Sequence, residues 1–217
     1  MVGAVVEAPR EIDRLRTRAA AGDAVAWGSL LTQYNDRLSR MVAFRLDPRL
    51  RGRVDAADVM QDAYLQAADH RPDYFGQPDP VPLFLWLRKI VVNKLHETHR
   101  HHLGARMRDA GREVAGGSDA DATSVALLAG LTGHGSGPGT AAAGAEAKDR
   151  VREALAGMGE IDREVLALRH FEQLSNGETA AVLGIQERAA KERYVRAMRR
   201  LREALADMPG GLTGLRP

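Results

Sequence analysis

The 217 residues, 44% hydrophobic and 28% charged, have the make-up of an ordinary soluble protein with room for one or two domains, which excludes a disordered polymer. A formal net charge of only +2 excludes a general attraction to polyanions, so the placement of charge matters more than its sum. There is no cysteine, which excludes disulfides, thiolate zinc sites and cysteine nucleophiles; MVGAVVEAP is too short and weakly apolar for an export signal, so a cytoplasmic location without membrane insertion is expected.

Helical spacing begins near residue 10 and ends at Gly22. Asp23 can then cap a longer helix to about Leu46, with Trp27, Leu30, Leu31, Tyr34, Leu38, Met41 and Val42 on one face. Asp47-Pro48 closes it. A third helix is expected from near Asp55 to Arg71-Pro72, and a fourth follows Pro82, a good first-turn residue, through LFLWLRKIVVNKLHETHRHH. From about Gly104 to Gly144 the chain turns to Gly, Ala, Ser and Asp, with runs such as GHGSGPG that cannot bury enough apolar surface to offset chain entropy. This stretch reads as a linker in which Leu127, Leu128 and Leu131 form one short helical turn. Helices resume near Glu146 with VREALAGM and IDREVLALRHF, and PGGLTGLRP reads as a loose tail. With no alternating strand pattern and no internal repeat, the expected fold class is all-α. Two small helical domains, 8–103 and 146–208, are joined by a flexible Gly/Ala-rich linker, 104–145, and followed by a tail, 209–217.

The most informative stretch is LSNGETAAVLGIQERAAKERYVRAMRRLR. Ser175 and Glu178 make a capping box that starts a helix at Asn176. Gly184 ends that helix after Leu183 with a left-handed turn, and Ile185 packs into the corner. From Glu187 to about Ala206, Ala190, Tyr194, Ala197, Leu201 and Leu205 recur at spacings of three and four and so form a core face. The other side carries Arg188, Lys191, Arg193, Arg196, Arg199, Arg200 and Arg202 against Glu187 and Glu192, seven minus two or +5. The pattern is that of a helix-turn-helix whose second helix faces DNA; a solvated basic helix is the plainer alternative.

Two further stretches carry unbalanced charge. Asp55, Asp58, Asp62, Gln66 and Asp69 fall at helical spacing as an acidic stripe with no basic residue to neutralise it, which suits either a basic partner or solvent, while Val59, Met60, Ala63 and Ala67 form a core side. The fourth helix and its extension carry Arg88, Lys89, Lys94, Arg100, Arg106, Arg108 and Arg112 against Glu97 and Asp109. Phe84, Trp86, Leu87, Ile90 and Val91 read as packing, whereas the Asn93 amide could both donate to and accept from a base edge. His96, Glu97 and His99 suggest a zinc-hydrolase motif, but that chemistry needs two histidines four apart, and here they are three apart. No hydrolytic triad stands out, so no catalytic residue, metal or cofactor is expected.

Taken together, the segments resemble a bacterial extracytoplasmic-function (ECF) sigma factor, the two-domain minimal type of RNA polymerase initiation factor. DAADVMQDAYLQA is similar to the family's second conserved region through Asp58, Gln61 and Asp62; LFLWLRKIVVNKL and LSNGETAAVLGI resemble its Trp-Leu-x-x-Ile-Ala-x-Asn and Leu-Ser-x-x-Glu-Ile-Ala-x-x-Leu-Gly stretches. The resemblance implies an alternative sigma factor that binds core polymerase and directs promoter recognition and melting. It implies that Asp55, Asp58, Gln61 and Asp62 dock on the β′ clamp, with the β subunit a further contact. Tyr74 and Phe75 in the loop Asp73 to Pro82, with Arg88, Lys89, Asn93, Lys94, His96 and Arg100, would take the minus-ten element around a flipped base. Arg188, Lys191, Glu192, Arg193, Arg196, Arg199 and Arg200 would take the minus-thirty-five element. An anti-sigma protein is a further candidate partner. Thr179, Val92 and ERAAKERYVRA depart from the family pattern and bear on which promoter is read, as does Glu192 in place of a small serine. A helix-turn-helix regulator acting without polymerase would explain only the C-terminal part, and a metal-dependent enzyme only the histidines.

Overall fold

The computed structural model describes residues 8–50, 52–109, 123–124, 126–128 and 141–205, and every regular element among them is helical. The expected tail, Leu131, Arg112 and most of the expected linker lie outside the described residues, as do the side chains of Arg106, Arg108 and Leu205. Two compact units are formed, one of residues 1–43 and 54–100, the other of 44–53 and 101–217.

In the first unit, α1 (Ala8–Ala20) ends where Gly22 takes φ +95°, a conformation open to glycine. Asp23 then caps α2 (Ala24–Arg45): its Oδ1 accepts the Val25 and Ala26 amides at 2.9 and 3.0 Å. Those amides, with Arg18 on the other oxygen, hold the carboxyl below its ordinary range. After α3 (Ala56–Asp69) comes α4 (Arg71–Phe75), a short helix where a loop was expected, because Pro72 sits in its first turn with φ already set. The chain then enters α5 (Leu83–Asp109), whose last turns fall in the second unit. Leu30, Leu38 and Val42 from α2, Val59, Ala63 and Ala67 from α3, and Leu87, Val91 and Leu95 from α5 are all buried, the faces expected from spacing. An aromatic group closes one end. Trp27 meets Phe75 and Trp86 edge-on with centroids 6.2 and 6.3 Å apart, and Tyr74 tilts onto Trp86 at 4.7 Å.

The second unit contains α6 (Ala141–Ala156), α7 (Glu160–Leu166), α8 (Asn176–Leu183) and α9 (Glu187–Leu205). Its core gathers Val151, Leu155, Met158, Leu166, Ala197, Met198 and Leu201, and it also includes Leu127, fully buried. Within the stretch expected as linker, Leu127 thus supplies core, and α6 begins at Ala141. IDREVLALRHF is not one α-helix. Its end, Ala167–Phe171, widens into a π turn, where the Glu172 amide reaches back five residues to the Ala167 carbonyl at 3.0 Å.

Arg45 belongs to this unit and is largely buried between Glu164 and Glu172, both at 2.5 Å. Burial disfavours its charge, but the two carboxylates outweigh that and hold the guanidinium above its ordinary range. Thr123 donates to Glu164 at 2.7 Å and extends the cluster. Phe44 stacks on Phe171 beside it, centroids 4.4 Å apart.

Candidate nucleic-acid and polymerase interface

The helix-turn-helix is built as its sequence dictates. Ser175 Oγ accepts the Glu178 amide at 3.1 Å and Glu178 Oε2 accepts the Ser175 amide at 2.7 Å, so the box starts α8 at Asn176. Gly184 ends it at φ +63°, and the Ile185 amide returns to the Ala180 carbonyl at 3.1 Å. Thr179, where the family pattern has an aliphatic residue, is fully buried, and its hydroxyl finds no hydrogen-bond partner among the described residues.

On α9 the core face is Ala190, Ala197, Met198 and Leu201, with Tyr194 packed against it. At about 100° per residue the opposite meridian passes through Arg188, Glu192, Val195 and Arg199, flanked by Lys191 and Arg202, and all six are exposed. Arg188 and Glu192 are joined at 2.8 Å. This bond holds Glu192 below its ordinary pKa and Arg188 above. Two residues expected on the DNA face do other work. Arg193 donates to the buried carboxylate of Asp162 on α7 at 2.8 Å, and Arg200 donates to the Gly157 carbonyl at 2.7 Å. Both therefore tie α9 to its own unit. Arg196 stands between the roles, exposed but 3.8 Å from Asp162.

On α3, Asp55, Asp58, Gln61 and Asp62 are all exposed on one edge. Asp55 and Asp58 also form a capping box of their own: Asp55 Oδ1 accepts the Asp58 amide at 2.9 Å and Asp58 Oδ2 accepts the Asp55 amide at 3.1 Å. That structural duty was not foreseen, and neither was the neighbour of Asp62. Lys94 is held above its ordinary pKa first by a 2.8 Å bond to Glu97 and in smaller part by the charge of Asp62, so the stripe is not wholly without a basic residue. Tyr64 fixes α3 to α2 by donating to Asn35 Oδ1 at 3.2 Å, and burial pushes its phenol up to about 12. Beside the acidic edge runs an open groove of about 660 Å³, lined by Met60, Gln61, Tyr64 and Leu65 among others, with Leu65 62% exposed. Sequence spacing gave no sign of Leu65, because one apolar residue on a polar edge resembles noise.

On α5, Lys89, Asn93 and Arg100 share an exposed stripe with half-buried His96, and half-buried Lys94 lies about a third of a turn away, near Glu97 and Asp62. Two residues expected here are buried rather than exposed. Tyr74 is fully buried with its hydroxyl donating to the Val81 carbonyl at 2.9 Å. Arg88 is buried at 7% exposure and engaged within the protein, since its position on α5 falls on the core side. Phe75 remains half-exposed. Among the described residues no three His, Cys, Asp or Glu gather as a metal site, and no helix is long and apolar enough to cross a membrane.

A helix-turn-helix with a cationic outer face, in a chain whose described residues form helices only, points to the class of DNA-binding transcription factors. The family model described as sigma-70, region 4, matches residues 148–201, from the middle of α6 to near the end of α9. The RNA polymerase sigma factor CnrH of Cupriavidus metallidurans is 31% identical over 92% of this chain and 96% of its own length. The ECF RNA polymerase sigma factor BldN of Streptomyces coelicolor is 28% identical over 88% of this chain and 64% of its own. The solved structure of CnrH in complex with the cytosolic domain of CnrY aligns with a TM-score of 0.53 at 25% identity, covering 91% of this chain and 99% of that one. The chain belongs to the ECF family of RNA polymerase sigma factors, transcription initiation factors that act with the core enzyme at promoters.

Proposed function

We propose that this sigma factor divides its work among three exposed helical surfaces. The α3 edge, Asp55, Asp58, Gln61 and Asp62, docks on the basic clamp of the β′ subunit, and Leu65 adds an apolar contact in the adjoining groove. Along α5, Lys89, Lys94, His96 and Arg100 hold phosphates of the minus-ten element while Asn93, with Phe75 nearby, reads one extruded base, since a base must leave the stack before its pairing edge is exposed. Tyr74 and Arg88 shape that surface from beneath. On α9, Arg188, Lys191, Glu192, Arg196 and Arg199 enter the major groove of the minus-thirty-five element, and Arg193 and Arg200 set the pose of the helix. No residue is assigned a catalytic role, and the chain acts in the cytoplasm. The solved structure of CnrH holds the cytosolic domain of CnrY, and by likeness this chain takes a protein partner of that kind, an anti-sigma protein.

The carrying observation is the outward meridian of α9, charged on both sides of a carboxylate that is itself held by Arg188. A carboxylate repels phosphate but accepts a hydrogen bond from cytosine, so Glu192 directs preference rather than affinity. A randomised upstream element is selected with the holoenzyme carrying wild type and Glu192→Ser. Different preferred bases at one position are expected; identical preferred sequences would overturn the role of Glu192 on α9.

A further inference from the structure

Between Glu192 and Arg199 on the outward meridian of α9 sits Val195, an aliphatic side chain 60% exposed. Scattered exposed aliphatics are ordinary on proteins, so exposure alone means little. Its position is what carries weight. Val195 lies opposite Ala190, Ala197 and Leu201, which are fully buried, and thus outside the core of its own unit. A β-branched residue there is also a poorer helix former than the lysine, arginine or glutamate that fill the rest of the stripe. Neither packing nor helix stability accounts for it.

We infer that Val195 is a specificity-determining residue that reads thymine through its 5-methyl group in the major groove. This rests on the reading of α9 as the helix that enters the minus-thirty-five element. Thymine alone among the bases presents a methyl group on the major-groove edge, and an apolar side chain recognises it by excluding water from both surfaces. The flanking Lys191 and Arg202, with Arg188 beside Glu192 and Arg199 3.8 Å from Glu203, supply the net cationic rim that brings phosphates alongside and seats the helix in the groove. Three residues along a helix advance about 4.5 Å, between one and two base-pair steps of about 3.4 Å. The thymine read by Val195 therefore lies within two base pairs of the base whose choice changes with Glu192→Ser.

The test uses the full chain bound to core polymerase and a promoter fragment carrying the selected upstream element. Each upstream thymine is replaced in turn by deoxyuridine, which removes the methyl group and nothing else. At one thymine, within two base pairs of the Glu192 position, wild type is expected to lose about four-fold in affinity, the factor equivalent to one buried methyl. Val195→Ala, which favours helix, is expected to bind the thymine promoter about that much more weakly than wild type and to be indifferent to deoxyuridine. An upstream preference that no methyl removal alters, or a selected element with no thymine in that window, overturns the inference while leaving α9 as the reading helix. A holoenzyme with no upstream preference of any kind overturns both.

Discussion

Truncating Asp58 and Asp62 separately distinguishes docking from folding on α3. Asp58 supplies half of the capping box, accepting the Asp55 amide at 3.1 Å. Asp58→Ala loses that bond and a carboxylate at the positive end of the helix, at a cost of about 1 kcal/mol. Asp62 lies one turn further on and caps nothing, so Asp62→Ala costs less than about 0.5 kcal/mol of stability. The two tryptophans of the chain, Trp27 and Trp86, both belong to the first unit, so tryptophan fluorescence in urea follows that unit within the full chain. With a slope of about 1–3 kcal/mol per molar urea, Asp58→Ala lowers the midpoint by roughly half a molar and Asp62→Ala leaves it nearly in place. Retention on immobilised core polymerase falls for both, because an unpaired charge at a partly desolvated interface costs about 2–5 kcal/mol, roughly 30-fold or more. Wild-type retention by Asp62→Ala would refute docking through this edge, and equal midpoints for the two variants would refute the structural role of Asp58.

Three other outcomes follow from buried or exposed polar groups. Thr179→Val replaces a buried hydroxyl that lacks a partner with a methyl group and stabilises the second unit by about 1 kcal/mol in thermal melts; a lower melting temperature contradicts this. Burial holds the His170 imidazole below its ordinary value of 6.5, so the folded state favours the neutral ring. Its contribution is therefore present in full above about pH 6.5 and is lost as pH falls toward the folded value; melts of wild type and His170→Gln between about pH 7.5 and 5.5 should diverge, wild type losing more stability on acidification. Asn93→Ala impairs promoter opening more than docking, read as a smaller permanganate-reactive bubble at unchanged polymerase retention, whereas an unchanged bubble contradicts base reading by Asn93.

The elements that sequence made legible were those set by local chemistry. Ser175, Glu178 and Gly184 fix both ends of α8 through bonds and a backbone conformation spanning a few residues, and Asp23 fixes the start of α2. The core face of α9 followed from spacing alone. What escaped were pairings between segments far apart in the chain. Nothing in helical periodicity says that Arg193 meets Asp162, thirty-one residues away, or that Arg200 meets the Gly157 carbonyl. Leu127 reads as part of a short helical turn, but its place in the core is hidden because its neighbourhood averages to Gly, Ala and Ser. The burial of Tyr74 is not legible either: the resemblance places it in a promoter-facing loop, and only the approach of Trp86 and the Val81 carbonyl shows that it is covered. Local caps and periods thus revealed the scaffold, while the division of the basic residues into exposed and structural sets needed the tertiary fold.

The central claim is that one chain carries polymerase to promoters through α3 and selects them through α5 and α9. Start sites of transcripts made from genomic DNA by core polymerase, with and without the chain, measure this most directly. Addition of the chain should create a set of start sites that share two upstream motifs at fixed spacing, and Glu192→Ser should change the farther motif while leaving the nearer one intact. No new start sites, or new sites whose farther motif is the same with Glu192→Ser as with wild type, would contradict the account.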